Sequence, residues 1–123
     1  MAALSKKLRS VQDGGLMFHC PGCDENHVIY HGAGEGPRWT WNGSVEKPTF
    51  SPSVLVKSYR ASPEGEAMMI RRENLPPGVD RYPGFDMTCH SFVTDGKIEF
   101  LADCTHHLAQ KTVDLPEFTE LGT

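Results

Sequence analysis

The sequence lacks three features that would each point to a class of protein. No apolar run is long enough to cross a membrane, and no apolar segment follows Lys6, Lys7 and Arg9 to form a secretory signal. No stretch sustains the period of an amphipathic helix. Lys and Arg number 12 against 16 Asp and Glu, so there is no basic field for a phosphate backbone. We therefore expect a cytoplasmic protein with little helix that binds neither membranes nor nucleic acids.

Cysteine is also scarce, with 4 in 123 residues, but the cysteines fall in distinct groups. Cys20 and Cys23 enclose Pro-Gly, whereas Cys89 and Cys104 lie far along the chain. In a reducing compartment such a CxxC motif indicates a metal or redox site in preference to a disulfide bond. We predict that all four sulfurs bind one zinc ion. A filled tetrahedral shell has no open position for water, so this zinc would be structural.

Histidine offers an alternative set of metal ligands. A histidine nitrogen can replace the sulfur of Cys89 or Cys104, which would then be a small buried apolar side chain. The candidate histidines are His27, His90, His106 and His107. Both sets remain open from spacing alone.

The apolar residues come in short alternating runs bounded by turn residues, with 12 Gly and 9 Pro spread along the chain. This pattern predicts a mainly β protein, with a small α+β fold as the alternative. We expect a compact antiparallel sheet stapled by the zinc site. The predicted strands are residues 16–19, 27–30, 38–41, 53–59, 88–93 and 97–102.

The length of the chain corresponds to one domain. We place that domain at residues 15–118 and expect residues 1–14 to be a flexible amino-terminal arm. Residues 61–84 contain four prolines and little periodicity, so we predict an inserted loop there.

The dipeptide Asp95-Gly96 predicts a tight two-residue turn between the last two predicted strands. The turn sets the register of this hairpin, and side chains alternate between its faces. Cys89 and Cys104 then share one face, and His90 and Asp103 share the other. The ribbon is therefore predicted to carry metal ligands on one side and a histidine–carboxylate pair on the reverse side.

His90 and Asp103 have the form of a general base and its orienting carboxylate. Residues 47–53 supply candidate nucleophiles, because their prolines hold this segment extended. Ser51 is the first choice for the nucleophile, with Ser53 in reserve. The structural alternative is that a serine here only bonds the local backbone and that the histidine has no catalytic role.

Three further residues are candidates for the same site. His106 is the reserve choice for the base and also competes for the metal. Trp39 and Trp41 lie two positions apart on a short predicted strand, so their side chains share a face. We expect these two indoles to fill the core or to line a substrate groove.

Five runs of sequence resemble a known family over most of the chain. The runs are CPGC, RWTWNG, PTFSPS, CHSFVTDGKIEFLADCTHHLA and TVDLP. They resemble a small bacterial and prophage family of domains of unknown function, whose members are often mislabelled as ammonia monooxygenases. Relatives in bacterial operons for ubiquitin-like conjugation are similar to serine peptidases that deconjugate or process ubiquitin-like proteins.

The resemblance implies a small serine peptidase with a structural zinc that cleaves an amide bond. Its partner would be a protein or peptide with an extended tail, such as that of a ubiquitin-like protein. Residue by residue, it implies Ser51 or Ser53 as the nucleophile, His90 as the base and Asp103 as the acid. His106 stays in reserve.

Two other functions remain open at this point. One is a non-catalytic, zinc-stapled protein-binding module of phage origin, in which the histidines are structural. The other is a zinc-dependent hydrolase whose open metal site uses His90, Cys104 and His106.

Overall fold

The computed structural model describes residues 2–118, and these residues are mainly β, as predicted. The strands are β1 (Ala2–Ala3), β2 (Arg9–Val11), β3 (Gly15–Cys20), β4 (Glu25–Tyr30), β5 (Thr40–Trp41), β6 (Phe50–Ser51), β7 (Val54–Ala61), β8 (Gly84–Thr94), β9 (Lys97–Phe100) and β10 (Thr112–Asp114). A helix, α1, spans Pro63–Ile70, and a short 3-10 helix spans Gln12–Gly14. Within the described range, no helix is long and apolar enough to span a membrane.

Two antiparallel sheets of four strands make up most of the fold. The first has the order β1-β2-β3-β4, and the second has the order β10-β9-β8-β7. A short pair, β5 and β6, lies in sequence between the two sheets. Strand β7 stands at the end of the second sheet and pairs only with β8 among the described strands.

Buried side chains from both sheets and from β6 form one core. Phe18 of β3 packs against Phe50 of β6, with ring centroids 5.8 Å apart. The second sheet contributes Val93, Ile98 and Phe100, all almost fully buried. Each such side chain stabilises the fold by about 1.5–3 kcal/mol relative to an exposed one. All four cysteines belong to this buried cluster.

The hairpin of β8 and β9 has the predicted register. Thr94 faces Lys97, and Ser91 faces Phe100. Both residues of the turn have positive φ values, 53° for Asp95 and 80° for Gly96, as a tight hairpin turn of type I′ requires. The strand prediction for residues 97–102 extends too far, because β9 ends at Phe100 and residues 101–111 form turns.

The amino-terminal residues differ from the predicted flexible arm. Strands β1 and β2 pair with each other, and β2 pairs with β3. The side chain of Leu8 is completely buried between these strands and the core. Short strands with few alternating apolar residues carry little periodic signal, and here pairing with β3 orders them.

The insertion at residues 61–84 begins with helix α1 instead of an irregular loop. Ser62 caps the helix, since its side chain accepts a hydrogen bond of 3.1 Å from the backbone N–H of Gly65. Pro63 occupies the first helical position, where its missing N–H costs no hydrogen bond. The segment returns to the sheet where the N–H of Ser62 donates to the carbonyl of Pro83 at 2.9 Å.

Candidate active site and metal site

Three side chains from separate parts of the chain form a continuous hydrogen-bonded series. The Ser53 hydroxyl lies 2.9 Å from Nε2 of His90. The other ring nitrogen, Nδ1, lies 3.1 Å from Oδ2 of Asp103. A carboxylate can only accept, so Nδ1 carries the proton and Nε2 is free to accept from the Ser53 hydroxyl. This is the hydrogen-bond arrangement in which a histidine can act as a general base.

The sheet positions the serine and the histidine. In the β7–β8 ladder Leu55 faces His90, and Ser53 lies just before the start of β7, on the same face as Leu55. Along β8 the side chains of Cys89 and Ser91 are buried, whereas that of His90 between them points to the outer face. Strand alternation therefore brings the hydroxyl and the ring together on the open side of the sheet.

The loop after β9 supplies the carboxylate. It is held against β8 by the N–H of Leu101, which donates to the carbonyl of His90 at 2.9 Å. The thiol of Cys104 also bonds the backbone of His90, accepting from its N–H and donating to its carbonyl, each at 3.2 Å. These bonds keep Asp103 beside the imidazole after the regular ladder has ended.

The structure brings Ser53, not the first-choice Ser51, to the histidine. Ser51 is part of β6, where it pairs with Thr40 of β5. The carbonyl of Ser53 accepts a hydrogen bond of 3.2 Å from Nε1 of Trp39, which secures the backbone of the serine. Ser51 therefore belongs to a different strand pair from the one that carries His90.

Both tryptophans make hydrogen bonds to backbone carbonyls. Besides the Trp39 bond to Ser53, Nε1 of Trp41 donates to the carbonyl of Ser44 at 2.9 Å. Both indoles are partly buried and pack against the core. Their role in lining a substrate groove stays a prediction.

The catalytic candidates are accessible from solvent. The side chain of His90 is 26% exposed and that of Asp103 is 56% exposed. Two apolar side chains on the same face flank the histidine, Leu55 at 50% exposure and Phe92 at 41%. Ser53 itself is half-buried.

A second group of side chains lies on the buried side of β8. The ligand atoms of Cys20, Cys23, Cys89 and His106 all lie within 4.8 Å of one another. The sulfurs of Cys20 and Cys89 are 3.7 Å apart. In a tetrahedral zinc site with Zn–S bonds of about 2.3 Å, sulfurs are separated by about 3.8 Å. The donor set and its spacing fit zinc.

The ring of His106 is oriented for a ligand that the protein itself does not supply. Its Nδ1 accepts a hydrogen bond of 3.2 Å from the N–H of Leu108. Its Nε2 is buried and has no hydrogen-bond partner in the described part of the chain. The ring lies against Gly22 of the CPGC turn, where a Cβ would collide with it. A buried nitrogen without a partner is expected at a metal ligand.

The electrostatics of the cysteines favour a bound cation. The hydrogen bond from Cys89 lowers the pKa of the Cys20 thiol to about 4. Burial raises the pKa of Cys23 to about 12, and the hydrogen bond with Cys20 raises that of Cys89. Burial lowers the pKa of His106, which keeps the imidazole neutral. Deprotonation of several adjacent thiols is therefore unfavourable unless a cation compensates the negative charge of the thiolates.

The fourth member of this group is His106, whereas the prediction of four sulfur ligands required Cys104. Cys104 instead bonds the backbone of His90, because β9 ends before the ladder reaches it. The group corresponds to the alternative in which a histidine completes the set. His27 is buried beside Phe18, with ring centroids 5.8 Å apart, and is not part of the group.

The two groups of side chains lie back to back on β8. Cys89 and His90 are neighbours in sequence and so point to opposite faces of the strand. An ion bound to Cys89 and His106 would also tie the loop that carries Asp103 to β8. A metal ion bound to this group would therefore stabilise the geometry of the three hydrogen-bonded side chains without contacting them.

Comparison with known protein families identifies the chain. A model described as the bacterial ubiquitination-like system serine protease, BubE, matches residues 3–101. The chain belongs to the BubE family. The match includes Ser53 and His90 and ends before Asp103 and His106. No curated protein and no solved structure matched the chain.

Membership of the BubE family confirms the resemblance to serine peptidases of ubiquitin-like systems. A protease of a ubiquitination-like system implies a protein substrate. The family description names a serine chemistry, and Ser53 is the hydroxyl that the fold places on a histidine.

Proposed function

We propose that this BubE-family protein is a serine protease that cleaves an amide bond at the extended tail of a ubiquitin-like protein. Ser53 is the nucleophile, His90 is the general base and Asp103 orients the imidazole. The observation that carries the proposal is the series of two hydrogen bonds, 2.9 Å and 3.1 Å, that joins these side chains. The family description supports the same chemistry.

The proposed reaction proceeds through an acyl-enzyme. Nε2 of His90 accepts the proton of the Ser53 hydroxyl as Oγ attacks the carbonyl carbon of the substrate. Asp103 stabilises the resulting imidazolium through Nδ1–H. The imidazolium then protonates the leaving amine as the C–N bond breaks. A water molecule hydrolyses the ester by the same steps, with His90 again acting first as base and then as acid.

The edge of the second sheet suits an extended substrate. Strand β7 ends the sheet and begins directly after Ser53. An extended peptide that adds to such an edge gains backbone hydrogen bonds and a fixed register without a deep pocket. The exposed side chains of Leu55 and Phe92 beside His90 favour an apolar substrate residue near the scissile bond.

We propose that zinc occupies the group formed by Cys20, Cys23, Cys89 and His106. When bound, the ion would supply a structural cross-link between β8, the CPGC turn and the loop after β9. Four protein ligands leave no open coordination position for a water molecule. For this reason the serine mechanism is favoured over zinc-dependent hydrolysis, and the donors His90 and Cys104 lie outside the group.

A fluorophosphonate probe tests the nucleophile directly. We expect one covalent adduct, because a serine activated by a histidine reacts with such probes and an ordinary surface serine does not. Ser51 and Ser53 fall in the same tryptic peptide, so fragment-ion sequencing must locate the adduct. An adduct on Ser53 supports the proposal. No adduct with a folded, metal-loaded protein would favour the non-catalytic binding module.

The substitution Asp103→Asn tests the orienting carboxylate. An amide keeps the shape of the side chain but can hold the imidazole in the wrong tautomer, so we expect the labelling rate and kcat to fall about 10³- to 10⁴-fold. Asp114→Asn is the matched control, because Asp114 is an exposed carboxylate of the same sheet that pairs with Lys97. Equal rates for Asp103→Asn and the wild type would remove Asp103 from the mechanism.

A further inference from the structure

The insertion at residues 61–84 encloses a cavity against strand β7. The cavity has a volume of about 450 Å³, which lies within the range of sites that bind small groups or side chains. The residues that line the cavity include Tyr59, Glu64, Met68, Leu75, Val79 and Arg81. Neither the triad nor the metal group includes any of them.

The cavity opens on the sheet face that carries the active site. Tyr59 faces Asp86 in the β7–β8 ladder, just as Leu55 faces His90. Odd-numbered residues of β7 share one face, so Ser53, Leu55, Lys57 and Tyr59 follow one another along it. Tyr59 lies six positions beyond Ser53, a distance of about 20 Å at about 3.4 Å per residue.

Specific contacts hold the wall of the cavity in place. The Tyr59 hydroxyl donates to the carbonyl of Tyr82 at 2.6 Å. The guanidinium of Arg81 lies 4.6 Å from the centroid of the Tyr59 ring and 3.4 Å from a carboxylate oxygen of Asp86. The Tyr82 hydroxyl in turn donates to the carbonyl of Glu73 at 2.7 Å. The insertion is therefore fastened to the outer face of β7 and β8.

The chemistry of the cavity suits an apolar side chain. Met68, Leu75 and Val79 contribute aliphatic side chains to the lining beside the charged Glu64 and Arg81, and Val79 is 47% exposed. Aliphatic side chains that line an open cavity favour the binding of an apolar group. An aliphatic side chain would remove this surface from water.

We propose that this cavity is a distal subsite of the protease, which takes an apolar side chain of the substrate about six residues from the scissile bond. The inference rests on the proposed function, because an extended substrate that lies along β7 from Ser53 arrives at Tyr59. The occupant is thus a segment of the same protein substrate that is cleaved. The length of the extended substrate segment and an apolar residue at that distance from the scissile bond would together determine substrate specificity.

Paired peptides test the subsite. A pool of internally quenched peptides with a short randomised core identifies a core sequence that the protein cleaves. The core is then extended on either side by a Gly/Ser spacer of about six residues that ends in Leu or in Ser. We expect kcat/KM to be about tenfold higher for the Leu peptide than for the Ser peptide on one of the two sides.

Two surface variants provide the matched comparison. Val79→Asp places a charge in the cavity, and the exposure of Val79 means that folding is not at risk. Ile70→Asp makes the same change in the same segment at a residue that is 82% exposed and does not line the cavity. We expect Val79→Asp to abolish the advantage of the Leu peptide and Ile70→Asp to retain it. Cleavage of the unextended core should be unchanged in both.

The failure of the subsite and the failure of the proposed function give different results. If the core is cleaved but Leu and Ser extensions are equivalent on both sides, the subsite is wrong and the protease remains. If Val79→Asp retains the advantage of the Leu peptide, the subsite is also wrong. If no core is cleaved and Ser53 takes no fluorophosphonate adduct, the proposed function is wrong, and the subsite that depends on it is wrong as well.

Discussion

Replacing Ser53 with alanine is expected to lower kcat/KM by about 10⁶-fold, because loss of the nucleophile of a triad removes almost all of its catalysis. The hydroxyl of Ser53 is the one bonded to His90, at 2.9 Å. The assay is cleavage of a ubiquitin-like protein that carries a fluorescent reporter at its carboxyl terminus, followed by mass spectrometry of the products.

Ser51→Ala is the matched control for this prediction. Ser51 is an exposed serine two positions away, in β6, where it pairs with Thr40. We expect its kcat/KM to stay within about twofold of the wild-type value. The opposite pattern, with activity lost in Ser51→Ala and kept in Ser53→Ala, would contradict the assignment of the nucleophile.

Loss of the metal site is expected to have the second large effect. Removing a structural zinc ion forfeits a binding free energy on the order of 10 kcal/mol, which is comparable to the whole stability of a small domain. We therefore expect Cys20→Ser and His106→Ala to be unfolded or to melt far below the wild type, and a strong chelator to have the same effect. Elemental analysis and thermal unfolding followed by circular dichroism measure both changes.

Cys104→Ser separates the two possible ligand sets. Cys104 is buried, as the other cysteines are, but its sulfur bonds the backbone of His90 and lies outside the metal group. We expect Cys104→Ser to bind as much zinc per chain as the wild type. If zinc were lost from Cys104→Ser but kept in His106→Ala, the result would support four cysteine sulfurs as the zinc ligands. A fold that withstands loss of zinc in every variant would remove the structural role of the metal.

Local sequence rules predicted the hairpin on which both sites depend. Asp95-Gly96 can adopt the two positive φ values of a tight turn, and this turn sets the register of β8 and β9. Alternation along β8 then places Cys89 and His90 on opposite faces. These features follow from neighbouring residues alone, so no knowledge of the remaining fold was needed.

The choice between Ser51 and Ser53 depended on distant parts of the chain. Both serines lie two positions apart in an extended segment, and strand periodicity assigns them the same face. Only the end of β6, the start of β7 and the β7–β8 register decide which one reaches His90. Such pairing joins residues that are far apart in sequence, and its register cannot be derived from either strand in isolation.

The exchange of Cys104 for His106 has a similar cause. Continuing the hairpin register beyond Phe100 predicted that Cys104 would be a diagonal neighbour of Cys89 on the same face, but the chain leaves the ladder there and turns. The turn brings the His106 ring to the CPGC loop, where Gly22 leaves room for it. Sequence by itself determined which residue types were available and how they alternate along a strand. Tertiary structure decided which of them meet, because distances between separate loops depend on the packing of the whole core.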